Sequence, residues 1–204
     1  MHDYNRVLEL ISEAGHAAAG ADGPERALNE IVKCYFGFLG DRTAHEKDGA
    51  LKPGERQYFV AGAFLVTPDA GYHMLVSNVG FPPDQERLLV PIDAGHPGHV
   101  FATKQELLLE NTDDHGNFKQ YLKTSRMGSA IFAPMIWKGM FLGQIVMAAQ
   151  ARYTMRQSDL DLLKALANIA AANWVAHAGP AWLASAYPPA NGFYVDRQGL
   201  EAAK

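Results

Sequence analysis

A carboxylate and two imidazoles recur at every third position in Asp93-x-x-His96-x-x-His99. Two histidines and an aspartate could form a three-ligand metal site with an open coordination position. The spacing matches none of the established metal signatures, however. His96 also precedes Pro97-Gly98 at a predicted helix start, where an imidazole can simply face solvent or cap the backbone. The second interpretation is the stronger one, so we expect no metal at these residues.

Three further polar side chains stand where either a ligand or ordinary structure would explain them. Ser129 begins an apolar strand, where its hydroxyl could face a pocket or cap the preceding turn. Asn111 opens the polar stretch 111–116, and turn formation explains it at least as well as ligand contact. Tyr121 could offer its hydroxyl to a ligand or merely pack. Ser129 lacks the Gly-x-Ser-x-Gly elbow of a serine nucleophile.

The chain has one cysteine, Cys34. A single cysteine excludes an internal disulfide and any CxxC metal or redox site. It lies in a predicted helix beside Val32 and Tyr35, where a free cysteine usually behaves as a small buried hydrophobe. We find no other catalytic constellation, and we therefore expect that the protein is not an enzyme.

Composition narrows the class of protein further. The 204 residues are 48% hydrophobic and 20% charged, with a formal net charge of −4, as in ordinary globular domains. No cluster of Lys and Arg predicts a nucleic-acid surface. Neither a secretory signal nor an apolar stretch of membrane-spanning length is visible. These features predict a cytoplasmic protein that binds neither nucleic acid nor membrane.

The polar candidates must be positioned by a predicted α+β arrangement. Apolar residues at helical spacing predict two N-terminal helices, and Leu163, Leu166, Ala170 and Trp174 mark a long final one. Apolar residues that recur at a shorter period predict strands. We place these strands at 58–66, 72–79, 87–92, 107–109, 130–137 and 141–149. Short helices are expected at 95–103 and 117–123. The last two strands, joined at Lys138-Gly139, form an apolar hairpin at the centre of the sheet.

Two segments carry no regular period. Residues 41–57 are polar and contain Gly49, Pro53 and Gly54, which predicts a mobile loop. Residues 179–204 are rich in Pro and aromatic residues, and no role can be assigned to them. We therefore expect one domain over residues 1–178, followed by a C-terminal tail at 179–204.

Three motifs, in this order along the chain, resemble the GAF domain, a small-molecule-sensing module. The first is Gly95-x-x-Gly98-x-Val100, followed by Thr103 and by Leu107-Leu108-Leu109 ending at Asn111, where the family often has aspartate. The second is Ser129-Ala130-Ile131-Phe132-Ala133-Pro134-Met135, then Gly139 and Leu142-Gly143-Gln144-Ile145. The third is Tyr153-Thr154, then Asp159, Leu162-Leu163 and Leu166-Ala167. The resemblance covers roughly residues 5 to 177.

The resemblance implies a six-stranded antiparallel sheet with helices on both faces. The first, second and last helices would share one face, and the short helices near Val100 and Tyr121 would close a ligand pocket over the other. It places the histidines at the lip of that pocket, where they would contact an anionic ligand. The candidate ligand-binding residues are therefore Ser77, His96, His99, Asn111, Tyr121 and Ser129.

As a function, the resemblance implies a stand-alone regulatory sensor that binds a small polar or anionic ligand and acts through a protein partner. An accessory subunit that uses the fold as an interaction surface is the alternative, suggested by the aromatic residues between Trp182 and Tyr194. Some solitary GAF proteins resemble free methionine-(R)-sulfoxide reductases, but the position of Cys34 argues against that chemistry. A homodimer through the first and last helices is expected, and no cofactor is identified.

Overall fold

A computed structural model of the chain describes residues 3–116, 119–121 and 126–196. Within these ranges the chain forms five α-helices and seven strands. The helices are α1 (Tyr4–Ala19), α2 (Pro24–Phe38), α3 (Gly95–Thr103), α4 (Gln157–Ala176) and α5 (Gly179–Ala186). The strands are β1 (Phe59–Val66), β2 (Tyr72–Val79), β3 (Leu88–Pro91), β4 (Leu107–Leu109), β5 (Ser129–Trp137), β6 (Met140–Ala149) and β7 (Phe193–Tyr194).

The strands form one sheet in the order β4-β5-β6-β1-β2-β3-β7. Neighbouring strands are antiparallel except β7, which lies parallel to β3. The prediction of six antiparallel strands was therefore wrong, because the C-terminal segment returns to the edge of the sheet. There the Phe193 N–H donates to the Arg87 carbonyl at 2.9 Å, and the Val195 N–H donates to the Leu89 carbonyl at 3.0 Å. A two-residue strand is too short to show a period in the sequence.

Helices cover both faces of the sheet, as expected. Along β1, Ala63 and Leu65 face the core formed with α1, α2, α4 and α5, whereas Phe64 faces the opposite core. The opposite core contains Val100 of α3. This alternation follows from the period of two in a strand. The sheet therefore lies between the two cores and contributes side chains to each of them.

Helix α1 buries only part of the stripe that its large apolar residues suggest, since Val7 and Ile11 pack partly buried against the core. Leu10, Ala14 and Ala18, spaced by four, are buried, whereas Tyr4 and Leu8 are 74% and 47% exposed. Alanine side chains allow α1 to pack closely on its neighbours. The exposed pair is consequently left on the outer surface of the helix layer.

Residues 41–57, expected to be a mobile loop, are anchored to the domain. Ala44 and Ala50 are buried and form a small cluster with Ala151. The side chain of Arg152 is only 2% exposed and forms ion pairs with Glu55 and, at 3.1 Å, with Asp113. A buried arginine requires such partners, and here they tie the loop to the end of β6.

Among the residues that the structure describes, no helix has the length and apolarity that crossing a bilayer would require.

Candidate functional site

A cavity of about 80 Å³ lies between the sheet and α3, on the face opposite the other helices. Its floor consists of apolar side chains from the central strands, including Phe64, Ala130, Phe132 and Val146. Cross-strand pairing explains this set, because Phe132 is paired with Val146 and residues opposite each other share a face. The central hairpin therefore provides the apolar floor of the site.

Helix α3 is held over the sheet by two buried side chains. Gln144 of β6 donates from Nε2 to the Pro97 carbonyl at 3.2 Å, and Nε2 of His73 lies 3.1 Å from the Ile92 carbonyl. Since a carbonyl only accepts, this His73 nitrogen carries the proton. Both side chains are fully buried. The short connection from β3 into α3 is thus fixed at both of its ends.

His96 lies in the first turn of α3 and lines the cavity. Its ring stacks over Phe132, with 6.4 Å between centroids and a 22° interplanar angle, and contacts the His115 ring edge-on at 6.1 Å. The residue is 7% exposed. Burial, and then the positive charges of His115, His99 and Arg126, lower the pKa of His96 to about 4. His96 is therefore neutral at pH 7.

Tyr121 lines the same cavity, and its hydroxyl is buried against Gly95. Burial, and then the nearby charge of Asp93, raise the pKa of Tyr121 above its ordinary value. Within the described part of the chain, no group forms a hydrogen bond with this hydroxyl. Tyr121 thus places beside the cavity a buried polar atom that has no hydrogen-bond partner among the described residues. The predicted helix 117–123, with Phe118 and Leu122, extends outside the described residues.

Ser129 is not part of the cavity. Its hydroxyl donates to the Leu109 carbonyl at 3.0 Å and accepts from the Met155 N–H at 3.1 Å. The residue is fully buried. Ser129 therefore connects β4, β5 and the segment that leads into α4, and its predicted contact with a ligand is corrected to a structural role.

Ser77 also lies away from the cavity, because β2 contains a bulge. Ala63 is opposite Ser77 while the next residue, Phe64, is opposite Leu75, so that Val76 is the extra residue. A bulge turns the following side chain to the other face of the strand. Ser77 accordingly donates to Asn29 of α2 at 3.3 Å, on the helix-covered side. The prediction that it contacts the ligand of the α3-side cavity is wrong for this reason.

Asn111 and His99 complete the set of predicted contacts, and neither lines the cavity. The side-chain amide oxygen Oδ1 of Asn111 accepts from the Asp113 N–H at 3.1 Å, which is the turn chemistry considered as its alternative. His99 is solvent-exposed on α3. Of the six candidates, the structure brings together His96 and Tyr121.

Sequence reasoning missed Arg126, whose guanidinium donates to the Thr112 carbonyl at 2.6 Å and lies near enough to His96 to lower its pKa. An isolated arginine after a polar stretch gives no signal of this proximity. Among the described residues, no group of three or more His, Cys, Asp or Glu side chains is placed to hold a metal ion. The structure thus does not assemble Asp93, His96 and His99 into a ligand set.

The geometry of a largely apolar cavity between the central antiparallel strands and a short helix agrees with the motifs in the sequence. The GAF domain family profile matches residues 44–174. The chain belongs to the GAF domain family. No curated protein matches the sequence.

Within this family fold, Gly143 of the hairpin motif has a clear role, because a Cβ there would lie 2.1 Å from the Phe64 carbonyl oxygen. Only glycine permits this approach of β1 to β6.

Solved structures with this fold include sensors and enzymes. The GAF domain of a phosphoenolpyruvate-protein phosphotransferase from Coxiella burnetii has a TM-score of 0.69 at 17% identity, covering 89% of this chain and 99% of that one. A protein from Burkholderia vietnamiensis described as a GAF sensor has a TM-score of 0.63 at 14% identity, covering 91% and 99%. Free methionine-R-sulfoxide reductase from Neisseria meningitidis, solved with its substrate, has a TM-score of 0.67 at 17% identity, covering 88% and 95%.

The last of these similarities corrects the expectation that the chain is not an enzyme. Free methionine-R-sulfoxide reductases are enzymes that use this fold. A GAF fold therefore accommodates catalysis, and the lack of a familiar catalytic motif does not argue against it. Identities of this size establish the fold that the proteins share, which is typical of sensory and regulatory ligand-binding domains.

Proposed function

We propose that this GAF domain is a regulatory sensor whose cavity under α3 binds a small molecule with an apolar body and one polar or anionic group. The observation that carries the proposal is the buried hydroxyl of Tyr121, which lines with His96 a chamber whose other side chains, apart from Lys119 and Gln120, are apolar. A buried hydroxyl without a partner costs roughly 1–3 kcal/mol. A ligand that accepts a hydrogen bond from Tyr121 would recover part of this energy.

The charge around His96 supports an anionic group at this end of the cavity. The guanidinium of Arg126 acts on His96 with the sign of a positive charge. Asp93 acts on Tyr121 with the opposite sign, so the anionic group is expected on the His96 side of the site. A carboxylate next to neutral His96 would accept from its N–H and experience the same positive field. The apolar floor of Phe64, Phe132 and Val146 would contact the rest of the ligand.

The small volume of the cavity favours a compact apolar group, and only that part of the ligand has to fit inside. A volume of about 80 Å³ corresponds to roughly three waters at ~30 Å³ each. Short or branched carboxylates such as butyrate and isovalerate are of this order, and benzoate probes the upper limit. We therefore choose these three as probes of the site.

Calorimetric titration with butyrate, isovalerate and benzoate tests this function. Butyramide and butanol serve as matched probes without the charge. We expect saturable binding of at least one carboxylate, weaker binding of its neutral analogue, and loss of binding in Tyr121→Phe combined with His96→Gln. Ser77→Ala, on the other face of the sheet, is the control and should bind as the wild type does. Equal binding to the double variant, or no carboxylate binding at all, would contradict the proposal.

We propose that the sensor acts through a partner and that a second copy of the chain is the first such partner. Tyr4 and Leu8 form an exposed apolar pair on α1, which a dimer through α1 and α4 would cover. Light scattering should give a dimer for the wild type and a monomer for Leu8→Glu. Met140→Glu changes an apolar residue that is 58% exposed and lies away from α1, and this variant should remain dimeric. A wild-type monomer at high concentration would contradict dimerisation.

Catalysis in the same cavity is the second candidate function, favoured by the fold shared with the sulfoxide reductases. Cys34 lies on α2 and packs against the helix-side core, so that a reaction in the cavity would use His96 or Tyr121 rather than a thiol. The assay supplies methionine sulfoxide with dithiothreitol, which becomes the disulfide as the sulfoxide oxygen leaves as water. Methionine formation that persists in Cys34→Ser and disappears in His96→Gln would support this function. A yield equal to the protein-free blank would exclude it.

A further inference from the structure

A second and larger cavity lies on the opposite face of the sheet from the α3 site. It has a volume of about 760 Å³ and is bounded by the start of α2, the end of β2, the two residues before β3 and the C-terminal segment. Trp182 of α5 and Asn191 form the C-terminal wall. The family match ends at residue 174, so that this wall comes from the part of the chain to which the sequence assigned no role. We call this cavity the α2 groove.

Arg87 connects three walls of the α2 groove. Its guanidinium donates to the carbonyl of Val76, the bulge residue of β2, at 2.6 Å and pairs with Glu25 of α2. Its backbone carbonyl accepts from the Phe193 N–H at 2.9 Å. The C-terminal segment is further fixed by the Tyr187 hydroxyl, which donates to Asp69 at 2.7 Å. The groove is therefore a preformed part of the fold.

The bulge in β2 provides the floor of the groove with a polar group. It turns Ser77 toward α2, where the side chain is 4% exposed and donates to Asn29 at 3.3 Å. Both residues, together with Asn78, line the groove. Hydroxyl and amide side chains offer donors and acceptors without a net charge. Because of the bulge, Ser77 lines the α2 groove and not the cavity under α3.

The charged residues that line the groove largely neutralise each other. They comprise four carboxylates and three cations, Asp22, Glu25, Glu30, Glu86, Arg26, Lys33 and Arg87. Two of the cations already have partners in the lining, since Arg87 pairs with Glu25 and Lys33 pairs with Glu30 at 3.3 Å. Such a site has little net field to select an anion or a cation.

We propose that the α2 groove binds a neutral polyhydroxylated molecule of the size of a mono- or disaccharide. The amides and the hydroxyl match the alternating donors and acceptors of a polyol. The half-buried indole of Trp182, held edge-on against Trp174 with 5.9 Å between centroids, provides an apolar surface for the C–H face of a sugar ring. The volume lies in the range of small-molecule sites, about 300–1,000 Å³. This site is independent of the sensor ligand under α3.

Ligand-observed saturation-transfer NMR on the full chain tests the proposal. The probes are glucose, N-acetylglucosamine, maltose and myo-inositol, with glucose 6-phosphate, glycine and glutamate as charged comparisons. We expect saturable transfer to at least one neutral probe. Loss of one hydrogen bond in Asn29→Ala should weaken binding about fivefold, and loss of the aromatic surface in Trp182→Leu about tenfold.

Tyr121→Phe, on the other face of the sheet, is the matched control and should bind the sugar as the wild type does. Melting temperatures identify a variant that has lost its fold, and in that case Asn78→Ala replaces it. Saturation transfer that is absent for all four neutral probes would overturn the proposal. Binding of only the charged comparisons, or unchanged sugar binding in the folded Asn29 and Trp182 variants, would also overturn it.

Discussion

The hydroxyl of Tyr121 lies so close to Gly95 that a Cβ on residue 95 would come within 2.1 Å of the Tyr121 oxygen. Gly95 has φ +56°, a left-handed conformation that favours glycine. The start of α3 and the side chain that closes the cavity are therefore matched to each other. A side chain at residue 95 would therefore displace Tyr121 from its place in the cavity wall.

Gly95→Ala should displace Tyr121 and abolish binding of the carboxylate probes. The substitution also strains the backbone by roughly 1 kcal/mol, which urea unfolding should detect. Gly139→Ala is the matched control, because Gly139 has φ +79° and no neighbouring atom within 4 Å of an added Cβ. We expect backbone strain in both variants, a larger loss of stability in Gly95→Ala because Tyr121 must also move, and a loss of binding only in Gly95→Ala. Wild-type affinity in Gly95→Ala would show that the position of Tyr121 is irrelevant to the ligand.

Removal of a tyrosine hydroxyl should have opposite effects on stability at two buried positions. Tyr121→Phe removes a hydroxyl without a partner among the described residues, and should raise the free energy of unfolding by up to about 1 kcal/mol. The Tyr35 hydroxyl lies 3.1 Å from the carbonyls of both Gly62 and Val146. Tyr35→Phe should therefore lower the free energy of unfolding by about 1–2 kcal/mol. Equal losses in chemical denaturation would mean that the Tyr121 hydroxyl has a stabilising partner.

The sequence predicted the sheet and helices well because these elements depend on local periods. The apolar runs of β5 and β6 are buried on both faces, and both strands are where their pattern indicates. The site was less predictable. The bulge at Val76 inverts the face of Ser77, and the hydroxyl of Ser129 is used by Leu109 and Met155, 20 and 26 residues away. A single extra residue in a β-strand leaves no periodic signal in the sequence. Hydrogen bonds to backbone groups far along the chain leave none either.

The buried Arg152 should make a large contribution to stability. Arg152→Met leaves Glu55, whose side chain is 12% exposed, without its cation and should lower the free energy of unfolding by about 3 kcal/mol. Lys47→Met is the matched control, since the Lys47–Asp41 pair is 49% and 23% exposed and such pairs contribute less than about 1 kcal/mol. Urea unfolding at pH 7 measures both. Similar small losses would contradict a structural role for the buried pair.

The ion pair between Arg152 and Glu55 should make the free energy of unfolding depend on pH. Burial alone would raise the pKa of Glu55, but the hydrogen bonds from Arg152 and Lys52 outweigh it, and the pKa is lowered. The unfolded chain therefore binds this proton first, near the ordinary pKa of about 4.3. The contribution is complete above that pH and is lost as the pH falls through the lower folded pKa. Urea unfolding between pH 6 and 3 should show a smaller loss in Glu55→Gln than in the wild type, and an equal loss would contradict this assignment.

The affinity for a carboxylate should increase as the pH falls from 7 to 5. Burial first, and then the charges of His115, His99 and Arg126, lower the pKa of free His96 to about 4, so that the imidazole is neutral throughout this range. A bound carboxylate stabilises the imidazolium and raises the pKa of His96. Binding then takes up a proton, and by linkage the affinity rises as protons become more available.

Calorimetry with benzoate at pH 7, 6 and 5, in two buffers of different ionisation enthalpy, measures both the affinity and the proton uptake. His96→Gln should bind more weakly and show neither the pH dependence nor the uptake. His99→Gln changes an exposed residue of the same helix and should keep both. The lowered pKa also predicts the reverse trend for the free protein: the unfolded chain binds the His96 proton near pH 6.5, so stability falls from about pH 6.5 toward pH 4. If the wild-type affinity is independent of pH, or if His96→Gln keeps the pH dependence, then His96 does not contact the ligand.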